Sequence, residues 1–138
     1  MIASAEWKSG MQFDGRSESG HTIHFDADPA HTAGPTPMEA VLAALCGCTS
    51  VDVVSILQKK RESFTSLVVS AEAQQAPAPP RVFTHIRLIY RVDGKVSKKA
   101  MEDAVALSKD KYCSISKMLE KSAAIDFAIE YADEAQGK

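Results

Sequence analysis

The sequence predicts an α+β fold with antiparallel sheet, on three observations. Three short alternating segments with turn residues between them extend as far as Asp26. One long apolar segment follows, opened by a helix-start signature at Thr36. Two more strand-like segments, two helical ones and a closing alternating segment complete the order β-β-β-α-β-β-α-α-β. The 138 residues suit one domain, 1–138. With 45% hydrophobic and 25% charged residues, the chain has enough apolar material for a core without disulfide staples.

Residues 3–8, 11–16 and 20–26 read as strands of an antiparallel meander. "FDGR" and "SESG" supply turn punctuation, and Ile23 and Phe25 fall on one face. "PAHTAGP" reads as a loop. In "TPMEAVLAAL", Thr36 is the N-cap, Pro37 takes the first helical position and Glu39 the third, so Thr36-x-x-Glu39 has capping-box form. The helix runs through Val41, Leu42, Leu45, Val51, Val53, Val54, Ile56 and Leu57 to about Arg61. At about 100° per residue these side chains spread nearly all round the axis, which predicts a helix enclosed by other elements. A small domain has few ways to enclose such a helix alone. A second copy of the chain supplies the missing cover, so a homodimer is expected.

"FTSLVVSAEAQ" and "RVFTHIRLIYRV" have strand composition. In the second, Val82, Thr84, Ile86, Leu88 and Tyr90 alternate with Arg81, His85, Arg87 and Arg91, a half-exposed strand with a cationic outer face. "APAPP" connects the two, and "DGKVS" breaks the second. A helix from about Ser97 to Lys109 buries Met101, Ala104, Val105 and Leu107 or Ser108, before "KDKYCSIS" interrupts it. A shorter helix, capped by Ser114 or Ser116, and a final strand "AIDFAIEYA" close the fold.

The net charge of −2 gives no global field toward nucleic acid or a membrane surface. The run Lys59-Lys60-Arg61 falls where the long helix ends, where it complements the helix dipole. No secretory h-region is visible in "MIASAEWKSG". Val41–Leu57 approaches a membrane span in length, but it contains Asp52 and has Glu39 at its edge, so a soluble buried helix is expected. Three cysteines in such a chain do not make a structural disulfide framework, and a reducing cytosol is the expected location.

The cysteines allow three readings. Free cysteine is among the most buried residue types, so core packing is the first. A metal site is the second. Cys46 and Cys48, at i and i+2 of a helix, point about 160° apart, and His21, His24, His31 and His85 add no ligand spacing; no metal or cofactor is expected. Redox work is the third. The same geometry excludes an easy Cys46–Cys48 disulfide, so a pair would need Cys113. Cys113 immediately precedes a predicted helix cap, where the dipole and free N–H groups stabilise a thiolate. Cys48 shares a helix face with Asp52 and Ser55. That carboxylate opposes thiolate formation unless a cation is near.

"GPTPMEAVLAALCGCTSVDVVSILQKKR", "RVFTHIRLIYRV" and "AVALSKDKYCSISKML" together resemble the OsmC/Ohr family, and especially its YhfA-like branch. A cysteine in a "GCTS" helix segment and another in "KYCS" form the specific part of the resemblance. What it implies is an intertwined α+β homodimer with long central helices buried between sheets. It also implies reduction of organic hydroperoxides. The cysteine matching Cys48 attacks the peroxide, the one matching Cys113 resolves the sulfenic acid as a disulfide, and an external dithiol reduces the product.

The resemblance further implies an arginine from the N-terminal strands, where Arg16 is the candidate, and a glutamate at the start of the central helix. This chain has Met38 at that glutamate's place and Glu39 one position later, which on a helix turns the side chain by about 100°. Glu39 is therefore read first as a capping residue, with catalysis as its second possibility. The leading expectation is a thiol peroxidase with Cys48 as nucleophile, Cys113 as resolver, and Arg16 and Glu39 as supporting candidates. The alternative is a non-enzymatic redox sensor or apolar-ligand binder, favoured by the departure at Met38. Cys46 is expected to pack.

Overall fold

The alternating N-terminal residues form β1 (Ala3–Ser9), β2 (Gln12–Ser17) and β3 (Thr22–Asp26), paired antiparallel in the order β1-β2-β3. The structure is a computed structural model and describes residues 1–30 and 32–132. His31, one of the four histidines considered as ligands, lies outside the described residues. The chain divides into two compact units, Met1–Leu42 and Ala43–Lys138.

In the first unit the predicted meander is present, with one correction. Asp14-Gly15 does not make a turn but sits inside β2, where Gly15 pairs with Ile23. The β1–β2 reversal is made at Gly10, whose φ of 54° suits glycine. Gly15 has a different reason to lack a side chain: a Cβ there would lie 2.5 Å from Cε2 of Phe25. The loop after β3 is organised by Asp26, which is 1% exposed. Its two carboxylate oxygens accept the Asp28 N–H at 2.9 Å and the Ala33 N–H at 3.1 Å.

The capping box forms as read: Thr36 N–H donates to Glu39 Oε1 at 2.9 Å and Glu39 N–H to Thr36 Oγ1 at 3.1 Å. Helix α1 (Pro37–Lys59) follows. Its buried residues are Leu45, Thr49, Val53 and Leu57, a single stripe at intervals of four. Full enclosure is not what one chain provides. Val41 and Val51 remain exposed, Val51 at 69%. By length and composition α1 would also pass for a membrane span, with 22% of its apolar window buried.

In the second unit, β4 (Ser63–Gln75), β5 (Phe83–Lys95) and β6 (Ala124–Tyr131) form a sheet in that order. β4 and β5 are antiparallel, but β5 and β6 are parallel, so the sheet is mixed. A parallel neighbour needs a crossover. The crossover here is α2 (Lys98–Leu107), a π-helical turn (Ser108–Tyr112) and α3 (Ser114–Leu119). Parallel register brings Arg87 beside Asp126 and Arg91 beside Glu130. The strand face predicted as cationic is thereby neutralised: Asp126 takes Arg87 at 3.0 Å and His85 at 2.8 Å.

The alternation in β5 holds for Ile86, Leu88, Tyr90 and Val92, all buried. A register irregularity at Gln74/Gln75 breaks it earlier, so Phe83 is buried while Val82 and Thr84 are exposed. β5 also continues through Asp93-Gly94, where the sequence predicts its end. Gly94 has φ of 103°, and a Cβ on it would lie 2.6 Å from Ser63 O. Gly94→Ala is therefore expected to lower the unfolding free energy by about 1–3 kcal/mol. A urea titration checks this, and an unchanged midpoint would refute the strain assignment.

Candidate active site

The second unit brings two of the three cysteines together. Cys48 lies on α1 beside the buried stripe and is partly exposed, whereas Cys113 has no exposed surface. The placement of Cys113 depends on the π-helical turn. Cys113 N–H donates to Ser108 O at 2.8 Å, five residues back, and the backbone at Cys113 is extended (φ −75°, ψ 104°). An α-helical register would instead rotate its side chain by about 100°. Cys113 itself, rather than Ser114 or Ser116, is the N-cap of α3: Sγ accepts the Ser116 N–H at 3.4 Å, while Ser116 Oγ donates to Cys113 O at 3.0 Å.

These surroundings set the thiol chemistry. Burial pushes the Cys113 thiol up, the bonds from Ser116 pull it down, and the neighbouring Cys48 thiol, as hydrogen-bonding partner and by its charge, pushes it up again; the net direction is upward. The helix-terminus argument for a stabilised thiolate at Cys113 is thus outweighed by burial. Cys46 is also pushed up by burial. All three cysteines are free.

Next to this pair lies a buried chain of hydroxyls that the sequence does not announce as functional. Thr49 Oγ1 is 2.7 Å from Tyr90 Oη and 2.7 Å from Ser108 Oγ, and Ser108 Oγ donates to Asp52 Oδ2 at 2.8 Å. Burial, the largest influence, pushes the Tyr90 hydroxyl up to about 12, so it stays protonated. A signal for this chain was present: Thr49 is the polar member of the α1 stripe, and Tyr90 lies on the inward side of β5. Asp52 reaches a cleft of about 370 Å3, which Ser55, Ile56, Lys59, Lys60, Leu107 and Tyr112 also line.

Arg16 and Glu39 belong to the first unit, and each has local partners there. Arg16 donates to Glu6 at 2.8 Å and lies 3.5 Å from Asp14. The Arg16 bond holds the Glu6 carboxyl below its ordinary value. Glu39 closes the capping box. Among the described residues, no group of three His, Cys, Asp or Glu side chains is placed to hold a metal ion.

The upward-shifted thiols have a consequence for stability. The folded state holds protons on Cys46 and Cys113 that the unfolded chain releases at its ordinary thiol pKa of about 8.5. Their contribution is complete below that pH and is lost as pH rises through the folded values. Denaturation midpoints are expected to fall above about pH 8.5 and to fall less in Cys113→Ala; an identical alkaline decline in the variant would refute the shift at Cys113.

Comparison with known proteins identifies the family and the fold. Residues 29–128 match the model of the family described as OsmC-like protein. Over 131 residues the chain is 44% identical to Protein YhfA of Escherichia coli K12, covering 94% of this chain and 97% of that one. The crystal structure of a hypothetical protein from Aquifex aeolicus superposes with a TM-score of 0.82 at 30% identity, covering 94% and 96% of the two chains. An organic hydroperoxide resistance protein OsmC from Legionella pneumophila shares the fold, with a TM-score of 0.70 at 13% identity over 94% and 95% of the chains. Family match, close relative and shared fold agree: the chain belongs to the OsmC-like protein family.

Proposed function

We propose that this protein reduces organic hydroperoxides with Cys48 and Cys113. The observation that carries the reading is the asymmetric thiol pair: a partly exposed Cys48 beside a fully buried Cys113. A hydroperoxide reaches the first and not the second. The Cys48 thiolate attacks the terminal peroxide oxygen, the O–O bond breaks, and the alkoxide leaves and takes a proton as the alcohol. Cys48 is then a sulfenic acid. The Cys113 sulfur displaces its hydroxyl, which leaves as water with the Cys113 proton, and a disulfide forms. An external dithiol returns two electrons and two protons. The Legionella relative's designation as an organic hydroperoxide resistance protein supports the reaction class.

In this reading Arg16 supplies the cation for the Cys48 thiolate, and Glu39 serves α1 as its cap with a supporting role at the site. The substrate has an apolar body, which Ile56, Leu107 and Tyr112 of the cleft would cover. The compartment is the cytosol, where the disulfide is transient. The second reading, a redox sensor that forms the disulfide without turnover, is favoured by Met38 standing in place of the glutamate. Consumption of cumene hydroperoxide with dithiothreitol separates the two. Wild type is expected to turn over, Cys48→Ser to lose all turnover, Cys113→Ser to stop recycling through the disulfide, and Arg16→Ala to lose about 10²-fold or more in rate. Wild type that consumes no peroxide would exclude the enzyme.

The working unit in this proposal is a homodimer. Two exposed surfaces support it: α1 with Val41 and Val51 uncovered, and β1, exposed along its whole length with Trp7 at 65%. Light scattering is expected to give twice the 14.9 kDa chain mass, and Val51→Lys to shift it toward the monomer. A well-folded wild-type monomer at micromolar concentration would overturn the assembly.

A further inference from the structure

We infer that Thr49 and Ser108 are positioning residues for disulfide closure: their buried hydroxyl bond holds the π-helical turn so that Cys113 faces Cys48. The inference rests on the thiol-pair reading above and deepens it.

Proton counting fixes the direction of the hydroxyl chain. Ser108 has one hydroxyl proton, which it donates to Asp52 Oδ2 at 2.8 Å. Thr49 must then donate to Ser108 across their 2.7 Å contact. Thr49 has no second proton, so Tyr90 donates to Thr49 at 2.7 Å. The three hydroxyls therefore have one direction, from Tyr90 through Thr49 and Ser108 to the Asp52 carboxylate. Thr49, Ser108 and Tyr90 are each no more than 1% exposed, so water does not compete for these bonds.

The chain joins three elements where the sulfurs are mounted. Thr49 follows Cys48 directly on α1. Ser108 opens the π-helical turn, and its carbonyl accepts the Cys113 N–H at 2.8 Å. The side chain of Ser108 thus fixes one end of the turn to α1 while its backbone fixes the other end to Cys113. A π-helical turn is rare, and α-helical register in its place would rotate Cys113 by about 100°. Loss of either hydroxyl also strands a buried partner, which favours rearrangement of the turn. The first step needs only Cys48, whereas closure needs both sulfurs at bonding distance. The hydroxyl pair is accordingly required for the second step and not for the first.

The test uses diamide on the full-length protein carrying Cys46→Ser throughout. Diamide needs no hydroperoxide: one thiolate adds to its N=N bond, the second sulfur attacks the first, the S–S bond forms, and the reduced hydrazine leaves with two protons. Closure is followed by mass spectrometry, and Cys48 reactivity separately by iodoacetamide labelling. Ser108→Ala and Thr49→Val are expected to slow closure about tenfold or more with Cys48 labelling unchanged. Thr49→Ser, which keeps the hydroxyl, is expected to restore it, and Tyr90→Phe, which leaves the Thr49–Ser108 bond, to change closure less than twofold.

Closure at the wild-type rate in Ser108→Ala and Thr49→Val overturns the inference. So does an equal loss of Cys48 labelling, or a Tyr90→Phe defect as large as that of Ser108→Ala. If Ser108→Ala does not fold, the Thr49→Val and Thr49→Ser comparison decides. Wild type that closes with diamide yet consumes no cumene hydroperoxide counts against the peroxidase and leaves the positioning role standing.

Discussion

The second unit depends on one polar position in an apolar stripe. Leu45, Val53 and Leu57 could be buried by any covering surface of suitable shape, because apolar contact has no direction. Thr49 cannot. Once buried, its hydroxyl must be satisfied, and the geometry that satisfies it aligns α1 with β5 through Tyr90 and with the crossover through Ser108. Each of these bonds is worth about 1 kcal/mol net, but leaving a buried partner unsatisfied costs about 1–3 kcal/mol. That asymmetry makes a small hydroxyl group a strong selector of one arrangement among several that would bury the same apolar area. Among the described residues, no buried side-chain nitrogen or oxygen lacks a partner, so the selection is complete.

The same arrangement divides labour between the sulfurs. A thiol that is buried, and faces another thiol, holds its proton more tightly than a free cysteine. Such a group is a poor first nucleophile and is protected from reagents in solution. It becomes useful only when its neighbour turns into an electrophile. In the proposed reaction Cys48, with part of its surface open, is the sulfur that meets the oxidant. In that reaction the difference in exposure orders the two steps. The contribution of α3 is limited, since the Ser116 N–H bond to Cys113 is long at 3.4 Å and burial outweighs it.

Much of the fold was legible because its signals are local. The Thr36–Glu39 box, the alternation of Ile86, Leu88, Tyr90 and Val92, and the order of elements follow from periodicity and capping chemistry alone. Three features were not legible, for stated reasons. Parallel pairing of β5 with β6 is a choice of partner, and alternation is identical for either direction. Asp14-Gly15 looks like a turn because a glycine in that dipeptide usually supplies positive φ; here it admits the Phe25 ring instead. The π-helical turn appears in sequence only as a break in helical pattern. Of the candidate site, the pairing of Cys48 with Cys113 was suggested by the resemblance, while Thr49 and Ser108 were read as helix residues because their bonds span 41 and 59 positions of sequence.

For the proposed reaction, Met38 in place of the glutamate that the resemblance implies bears on where control would reside. Where a glutamate at the helix start does not share the work of holding the first thiolate, the approach of the second thiol becomes the step that fixes the outcome. In the proposed cycle, oxidised Cys48 would partition between capture by Cys113 and further oxidation to sulfinic acid, which cannot be recovered by a dithiol. Capture is intramolecular, so its advantage depends on how closely the sulfurs are held, and misplacement by about 1 Å is enough to forfeit about 10²-fold of it. A rigid hydroxyl tie one residue from Cys48, reaching the carbonyl that holds Cys113, is the kind of support that partition demands. Its cost is a buried polar chain ending in a carboxylate, and Asp52 resolves that cost by lying at the edge of the cleft, where its second oxygen can be solvated while the first orients all three hydroxyls.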